Sequence, residues 1–169
     1  KKSAVAHCPG SNLKLASGIA PISSYQKEGL TVALGTDGCS SSNDLDMWLV
    51  MRLAALLVSQ TQGPEKLKTK DIFRMATIDG AKAVGMEDSI GSIEIGKCAD
   101  LIAIDLQSPH LIPIHDIFAQ LIFAAGRSDV SDVWVEGQAL MRERRLLSLD
   151  ESEVLAKAQE WRERMHIKA

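Results

Sequence analysis

The sequence predicts an α/β fold in which a parallel α/β part comes first and a small separate sheet follows. Two observations lead to this prediction. Apolar strand patterns at residues 3–8 and 30–35 enclose a helix pattern, and such a βαβ unit places its two strands side by side and parallel. Beyond residue 90 the apolar residues follow a strand-like period. We therefore divide the chain into residues 1–90 and 91–169.

Composition excludes two classes of partner. The net charge is -3, the basic residues are scattered and aromatic residues make up 4% of the chain, so we expect no nucleic acid. The longest apolar run, residues 47–58, contains Arg52 and is shorter than the roughly 20 residues of a membrane span. We expect no membrane partner. Three cysteines cannot all pair with one another, which favours a reduced cytoplasm: Cys8, Cys39 and Cys98.

The boundaries of the elements in the first part are predicted from residues that typically start or end helices and strands. The polar segment "PGSNLKLASG" after the first strand predicts a loop, and the next helix pattern occupies residues 21–29, from a proline to a glycine. After the second strand, Asn43 is expected to cap a helix that runs from Leu45 to about Ser59. A further helix begins near Thr69 and is expected to break at "IDG", residues 78–80.

The second part reads as strands with two helices. The segment "SIGSIEIGKCADLIAIDL" is strand-like with a Gly-Lys turn, and "VSDVWVEGQALM" predicts a hairpin that turns at Glu136 and Gly137. Residues 117–125 resemble a short helix. The chain ends in a helix for which Ser148 and Glu151 form a predicted capping box.

An aspartate at the end of a buried strand is the first candidate for chemistry. In "VALGTDG" the apolar strand runs directly into Asp37, and a carboxylate at such a position is costly unless a positive partner meets it. The alternative is a turn aspartate that bonds to its own backbone. The residues alone leave both interpretations open.

Several separated motifs resemble one family. The motifs "AHCPGSNLKLASGIAPI", "ALGTDGCSSSNDLDMWLVMRLAALL", "ATIDGAKAVG" and "GSIEIGKCADLIAIDL" occur in this order. They resemble the metal-dependent amidohydrolase superfamily, most closely the S-adenosylhomocysteine and 5-methylthioadenosine deaminases and their chlorohydrolase relatives. The resemblance extends from Ser3 to about Leu147, nearly the whole chain.

The resemblance implies an incomplete barrel. Residues 1–90 would be the C-terminal part of a (β/α)8 TIM-type barrel, with strands seven and eight and the helices that follow them. Residues 91–169 would supply strands of a small β-sandwich, a return helix and the C-terminal helix. The N-terminal half of the same barrel is then an expected partner, and we expect that these residues do not fold and function alone. A homo-oligomer is left open.

The resemblance also implies a site. Asp37 would bind one divalent metal ion, with zinc the expected element, and would handle the proton of the attacking water. Active sites of such barrels lie at the C-terminal ends of the strands. The family's other ligands are histidines of strands one, five and six, and none of them lies in this chain.

Other polar residues of the same region are expected to have binding, structural or surface roles. Ser11 and Asn12 are expected in the loop after strand seven, as substrate-binding residues or with a turn role. His7 is expected to be structural, and a soft metal site of His7, Cys8 and Cys39 is the weaker alternative. Lys14 is expected to be a surface charge.

The activity that the resemblance implies is hydrolytic deamination of an adenosine-type nucleoside, namely S-adenosylhomocysteine, 5-methylthioadenosine or adenosine, with release of ammonia. A guanine-type deaminase or a triazine chlorohydrolase is the alternative within the family. An alternative of another class is a non-catalytic fragment or accessory binding domain. The presence of a His-x-His segment upstream of this chain would discriminate between an enzyme and such a domain.

Overall fold

The computed structural model describes residues 3–165, and the outer ends of the two predicted domains, residues 1–2 and 166–169, lie outside the described part. The elements of the first part, in chain order, are β1 (Ala4–His7), α1 (Pro9–Lys14), α2 (Ile22–Lys27), β2 (Thr31–Leu34), α3 (Cys39–Ser42), α4 (Met47–Gln62), α5 (Thr69–Met75) and α6 (Ile78–Ala83). Those of the second are β3 (Leu101–Ile104), a 3-10 helix (Pro109–Leu111), α7 (Ile117–Phe123), a 3-10 helix (Arg127–Asp129), β4 (Val130–Val135), β5 (Gln138–Arg142), β6 (Arg145–Leu146) and α8 (Glu151–Arg164).

Strands β1 and β2 form a parallel pair, as the sequence predicts. Ala4 lies opposite Thr31 and His7 lies opposite Leu34. The pairing continues past β2, where the Gly35 amide donates to the His7 carbonyl at 3.0 Å. Because the strands are parallel, the segments that follow them leave from the same edge of the sheet.

The predicted loop after β1 is wrong, because most of it forms helix α1. Pro9 lies in the first turn of this helix, where its fixed φ angle suits a helix and its missing N–H costs nothing. Gly10 lies against helix α4, and a Cβ there would contact Leu53 at 3.8 Å. The helix therefore forms although its sequence is rich in turn residues.

Helix α4 begins at Met47, and its cap is Asp46 instead of the predicted Asn43. The Asp46 carboxylate accepts hydrogen bonds from the amides of Trp48 (2.8 Å) and Leu49 (3.2 Å). A carboxylate at this position also complements the positive end of the helix dipole. Asn43 instead ends α3 in a left-handed conformation.

Within residues 3–165 no helix has the length and apolarity that a bilayer crossing requires.

The predicted break at residues 78–80 is also wrong, since helix α6 runs through them. The chain breaks one residue earlier, at Thr77, whose hydroxyl donates to the Phe73 carbonyl at 2.9 Å. Helix α5 begins at Thr69 as predicted, with its capping position at Lys68.

The core combines the first part of the chain with helix α7 of the second. Strand β2, helices α2, α4 and α5, and helix α7 each bury apolar side chains in one cluster: Ile22, Val32, Met51, Ala54, Ala55, Val58, Ile72, Met75 and Ile122. Trp48 and Phe73 also pack against a second cluster around Leu111, Leu121 and Ala125. The packing of α7 therefore ties the second part of the chain to the first.

The second sheet is antiparallel, in the order β3-β4-β5-β6. The hairpin of β4 and β5 turns as predicted, with left-handed φ angles of 51° at Glu136 and 78° at Gly137, which suit a tight two-residue hairpin turn. The strand-like segment at residues 90–98 contains no strand. The described residues form one layer of strands here, so the sandwich stays a prediction.

Helix α8 is exposed over its whole length in the described structure. Its cap is Asp150, whose carboxylate accepts from the Glu153 amide at 3.1 Å, so the predicted capping box of Ser148 and Glu151 is wrong. The aspartate cap lies directly before the first helical residue, the position from which a short carboxylate reaches the free amides.

Candidate active site

The candidate site lies where the chain leaves the C-terminal ends of β1 and β2. Helix α1 begins two residues after His7, the last residue of β1, and Asp37 follows three residues after Leu34, the last residue of β2. Since both strands end at the same edge of the sheet, α1 lies beside the segment that contains Asp37.

Two donors hold the Asp37 carboxylate. The Ser11 hydroxyl donates to Oδ2 at 2.7 Å, and the Gly38 amide donates to Oδ1 at 2.6 Å. Asp37 is exposed, and its φ angle of 60° lies in the left-handed region that non-glycine residues rarely adopt. The Gly38 contact is the local bond of a turn aspartate, whereas the Ser11 contact comes from a different element.

These contacts keep the carboxylate charged. The Ser11 hydroxyl, followed by the Gly38 amide and the Ser41 hydroxyl, lowers the pKa of the Asp37 carboxyl below its ordinary value. Hydrogen bonds to a carboxylate favour its ionised form. At neutral pH Asp37 therefore presents an unprotonated, exposed carboxylate that can bind a cation or accept a proton.

Ser11 is brought to Asp37, as the sequence predicts, but it is 4% exposed and its hydroxyl is committed to the carboxylate. Asn12, the next residue of α1, is half-buried, and its side chain forms no hydrogen bond to the described residues. Substrate binding by these two residues stays a prediction.

His7 and the cysteines do not form the alternative soft metal site. Among residues 3–165 no group of three or more His, Cys, Asp or Glu side chains is placed to hold a metal ion. His7 is 4% exposed, its Nδ1 has no hydrogen-bond partner in the described part of the chain, and burial lowers the pKa of its imidazole. Cys39 begins helix α3 and is exposed, so it does not end a strand beside Cys8.

Asp37 is the residue that would hold the metal ion implied by the family resemblance. Asp37 suits a divalent ion because its carboxylate is ionised, exposed and fixed by two hydrogen bonds. A catalytic zinc usually takes three protein ligands. Asp37 therefore fits one ligand position, and the other donors would have to come from outside residues 3–165.

Lys14 belongs to the same region, although its sequence context suggests a plain surface charge. Its Nζ donates to the Ser40 carbonyl at 3.3 Å and to the side-chain oxygen of Asn43. The spacing of Ser11 and Lys14, three residues apart, would have revealed their common face if the segment had been recognised as a helix.

A polar cleft of about 280 Å³ lies elsewhere, at the opposite end of β2. It is lined by Thr31, the first residue of the strand, and by charged side chains that include Arg74 and Asp79, which form an ion pair at 3.0 Å. Its position at the N-terminal end of β2 separates it from Asp37.

The structure and sequence are similar to those of known proteins. The amidohydrolase family profile matches residues 1–140. A 5-methylthioadenosine/S-adenosylhomocysteine deaminase of Moorella thermoacetica is 47% identical over 167 residues, 98% of this chain and 38% of the relative. The crystal structure of an adenosine deaminase from Xanthomonas campestris with bound zinc has a TM-score of 0.94 and 44% identity, and the match covers 98% of this chain and 38% of that one.

A second solved structure adds a different activity. An atrazine chlorohydrolase from Arthrobacter aurescens, complexed with zinc, has a TM-score of 0.87 and 31% identity, over 94% of this chain and 36% of that one. This chain thus spans well under half the length of the relatives it matches. The resemblance inferred from the motifs is confirmed, and the chain belongs to the amidohydrolase family.

Proposed function

We propose that this chain is part of a metal-dependent hydrolytic deaminase that releases ammonia from an adenosine-type nucleoside: S-adenosylhomocysteine, 5-methylthioadenosine or adenosine. The observation that carries the proposal is the exposed, ionised Asp37 carboxylate, fixed by Ser11 at the C-terminal end of β2. It occurs in a chain that is 47% identical to a relative named as a deaminase of the first two nucleosides.

In this proposal Asp37 is both a metal ligand and a catalytic residue. One divalent ion per subunit, with zinc expected, would supply a water whose pKa is lowered to about 7. The Asp37 carboxylate is unprotonated at neutral pH, so it is available to accept a proton from water and later return it to the leaving amine. The bound zinc in the Xanthomonas campestris structure supports the choice of element.

The neighbouring residues would then divide into two roles. Ser11 orients Asp37, since its hydroxyl fixes Oδ2 while the residue stays exposed. The Asn12 side chain forms no hydrogen bond with residues 3–165, and we propose it as the substrate contact. His7, which is buried, is structural.

The fold proposal is a barrel completed by other chain segments. Each of β1 and β2 has one edge without a strand partner among the described residues. The unpaired N–H and C=O groups of such an edge can pair with another strand. We propose that residues 1–90 are strands seven and eight of a (β/α)8 barrel whose N-terminal half pairs with these edges. Residues 91–169 would provide strands of a β-sandwich and the terminal helix.

The proposed compartment is a reduced cytoplasm. The three cysteines Cys8, Cys39 and Cys98 are free thiols in the structure. Free thiols persist where the cell keeps cysteine reduced, whereas secreted proteins tend to pair them.

A triazine chlorohydrolase is the second candidate, and one observation favours it. The zinc-bound atrazine chlorohydrolase shares the fold of this chain at a TM-score of 0.87. Displacement of chloride from a triazine and of an amine from a purine both begin with attack of water on an aromatic carbon. A guanine-type deaminase performs the same displacement on a different purine.

The test is a panel assay on the full-length gene product. Ammonia release would be measured with adenosine-type nucleosides and with guanine, and chloride release with chlorotriazines. We expect turnover with the nucleosides and about one zinc per active subunit by elemental analysis. Turnover of the triazine alone would select the second candidate. A full-length protein without bound metal and without turnover on any member would support the accessory-domain alternative.

A further inference from the structure

We propose that Lys14 is a positioning residue for Asp37. It holds the segment that follows the aspartate by donating to the Ser40 carbonyl and to the Asn43 side chain. The inference rests on the proposed function, because it concerns how the same carboxylate is kept in place.

Helix α1 contacts the Asp37 segment at two points. Ser11 and Lys14 lie three residues apart, so they share one face of the helix. The Ser11 hydroxyl contacts Asp37, at the start of the segment, and the Lys14 ammonium contacts Asn43, at its end. Helix α1 therefore holds residues 37–43 by one contact before α3 and one contact after it.

The segment needs such support because its backbone is strained at both ends. Asp37 has a φ angle of 60° and Asn43 has one of 64°, both in the left-handed region. Strained conformations of this kind persist only where the surrounding contacts determine them. Helix α3 has four residues, too few for its own hydrogen bonds to stabilise it.

Lys14 supplies what the short helix lacks. The last carbonyls of a helix have no partner within it, and a lysine near that end both donates to them and complements the negative end of the helix dipole. The Ser40 carbonyl, at 3.3 Å from Nζ, is such a group. Loss of Lys14 would therefore loosen α3 and with it Gly38, whose amide fixes Oδ1 of Asp37.

The expected kinetic signature follows from what Asp37 does. A displaced carboxylate impairs the steps in which it holds the ion or carries the proton, and small misplacements of reacting groups cost large factors in rate. The effect should fall on kcat more than on KM. Lys14→Arg retains a cation with several donors and should restore most of the rate, whereas Lys14→Met retains only the apolar stem.

The experiment compares three variants of the full-length protein. Lys14→Met should lower kcat by on the order of tenfold with KM within about twofold, and Lys14→Arg should recover it to within about threefold. Amide exchange of residues 38–43, followed by mass spectrometry, should be faster in Lys14→Met. Lys27→Met is the matched control: Lys27 ends the six-residue helix α2, is exposed and forms no side-chain hydrogen bond or ion pair with residues 3–165, so wild-type values are expected.

The positioning role of Lys14 and the proposed function are contradicted by different outcomes. If the wild-type enzyme releases ammonia and Lys14→Met matches it in kcat and in exchange, the positioning role is wrong while the proposed function stands. Equal losses in Lys14→Met and Lys14→Arg would also overturn the role. If the wild type deaminates no nucleoside, the proposed function fails, and exchange at residues 38–43 alone decides whether Lys14 holds the segment.

Discussion

The Ser11 hydroxyl lies 2.7 Å from Oδ2 of Asp37, although 26 positions separate the two residues in the sequence. The contact arises because β1 and β2 are parallel neighbours, so the helix after one strand and the aspartate after the other meet at the same edge. It gives Asp37 a partner outside its own turn. The lowered pKa and the orientation of the carboxylate therefore depend in part on α1.

Substitution of Ser11 by alanine should raise the pKa of Asp37. The Ser11 hydroxyl is the largest contributor to the lowered pKa, and its removal leaves the Gly38 amide as the main donor. In the metal-free full-length protein, the Asp37 carboxyl should titrate at higher pH in Ser11→Ala than in the wild type. Site-specific carbon NMR of the aspartate carboxyl measures this directly.

The lowered pKa of Asp37 also determines how the stability of the folded protein depends on pH. Because the folded pKa lies below the ordinary value near 3.8, the stabilisation is present above that pH and is lost as the pH falls through the folded pKa. Ser24→Ala, on the exposed side of α2, is the control and should leave the titration unchanged. An unchanged Asp37 titration in Ser11→Ala would show that the hydrogen bond does not set the pKa.

Cys8 should react slowly with alkylating reagents. Burial first, and the negative charge of Asp37 second, raise the pKa of the Cys8 thiol above its ordinary value near 9. Because only the thiolate reacts, the rate should keep rising above pH 9, and at pH 8 it should be lower than that of Cys98, whose side chain is exposed. Mass spectrometry of iodoacetamide-treated full-length protein gives both rates. A Cys8 rate that levels off below pH 8 would contradict the assigned environment.

Arg52 should stabilise the packing of α7 on α4. Its Nε donates to the Ile122 carbonyl at 3.2 Å and its Nη2 donates to the Ala125 carbonyl at 2.9 Å, which satisfies free carbonyls where α7 ends. Arg52→Met should lower the free energy of unfolding by about 1–3 kcal/mol, because the two carbonyl groups lose their charged donor and are left without that hydrogen bond. Urea denaturation of the full-length protein measures the loss.

Lysine provides the matched control at this position. Arg52→Lys keeps the charge but cannot donate from two nitrogens at once. Its free energy of unfolding should therefore lie between those of the wild type and Arg52→Met. If Arg52→Met unfolds at the same urea concentration as the wild type, the two hydrogen bonds do not contribute to stability.

The sequence predicts those parts of the fold that depend on local patterns. The βαβ unit follows from apolar runs bounded by glycine and proline, and the hairpin at Glu136 and Gly137 follows from a turn pair that accepts left-handed angles. Asp37 could be singled out because a carboxylate at the end of a buried strand is unusual.

The errors lie where distant contacts decide the structure. The residues of α1 favour a turn, and its packing beside Leu53 of α4 is not visible in a local pattern. Ile93 and Ile95 alternate like strand residues but are 86% and 108% exposed, because no neighbouring strand pairs with them in the described structure. The Lys14 contacts with Ser40 and Asn43 are not visible in a local pattern either, since they require helix α1.

The isolated 169 residues should bind zinc weakly. The described residues offer Asp37 but no group of three ligands, and a catalytic zinc site usually takes three. After dialysis against metal-free buffer, elemental analysis should find less than about 0.1 zinc per isolated chain but about one per full-length subunit. A soluble, cooperatively unfolding isolated chain that retains zinc and releases ammonia from adenosine would contradict the proposal that the rest of the barrel is required.

The most direct test of the account is the turnover of Asp37→Asn in the full-length enzyme. Asparagine keeps the size of the side chain and its contact with Ser11 but cannot accept a proton and is a poorer ligand for a divalent ion. The ammonia-release rate with 5-methylthioadenosine, S-adenosylhomocysteine and adenosine should fall by more than about a hundredfold, while circular dichroism shows the fold intact. A rate within about tenfold of the parent enzyme would contradict the assignment of Asp37 as ligand and proton carrier.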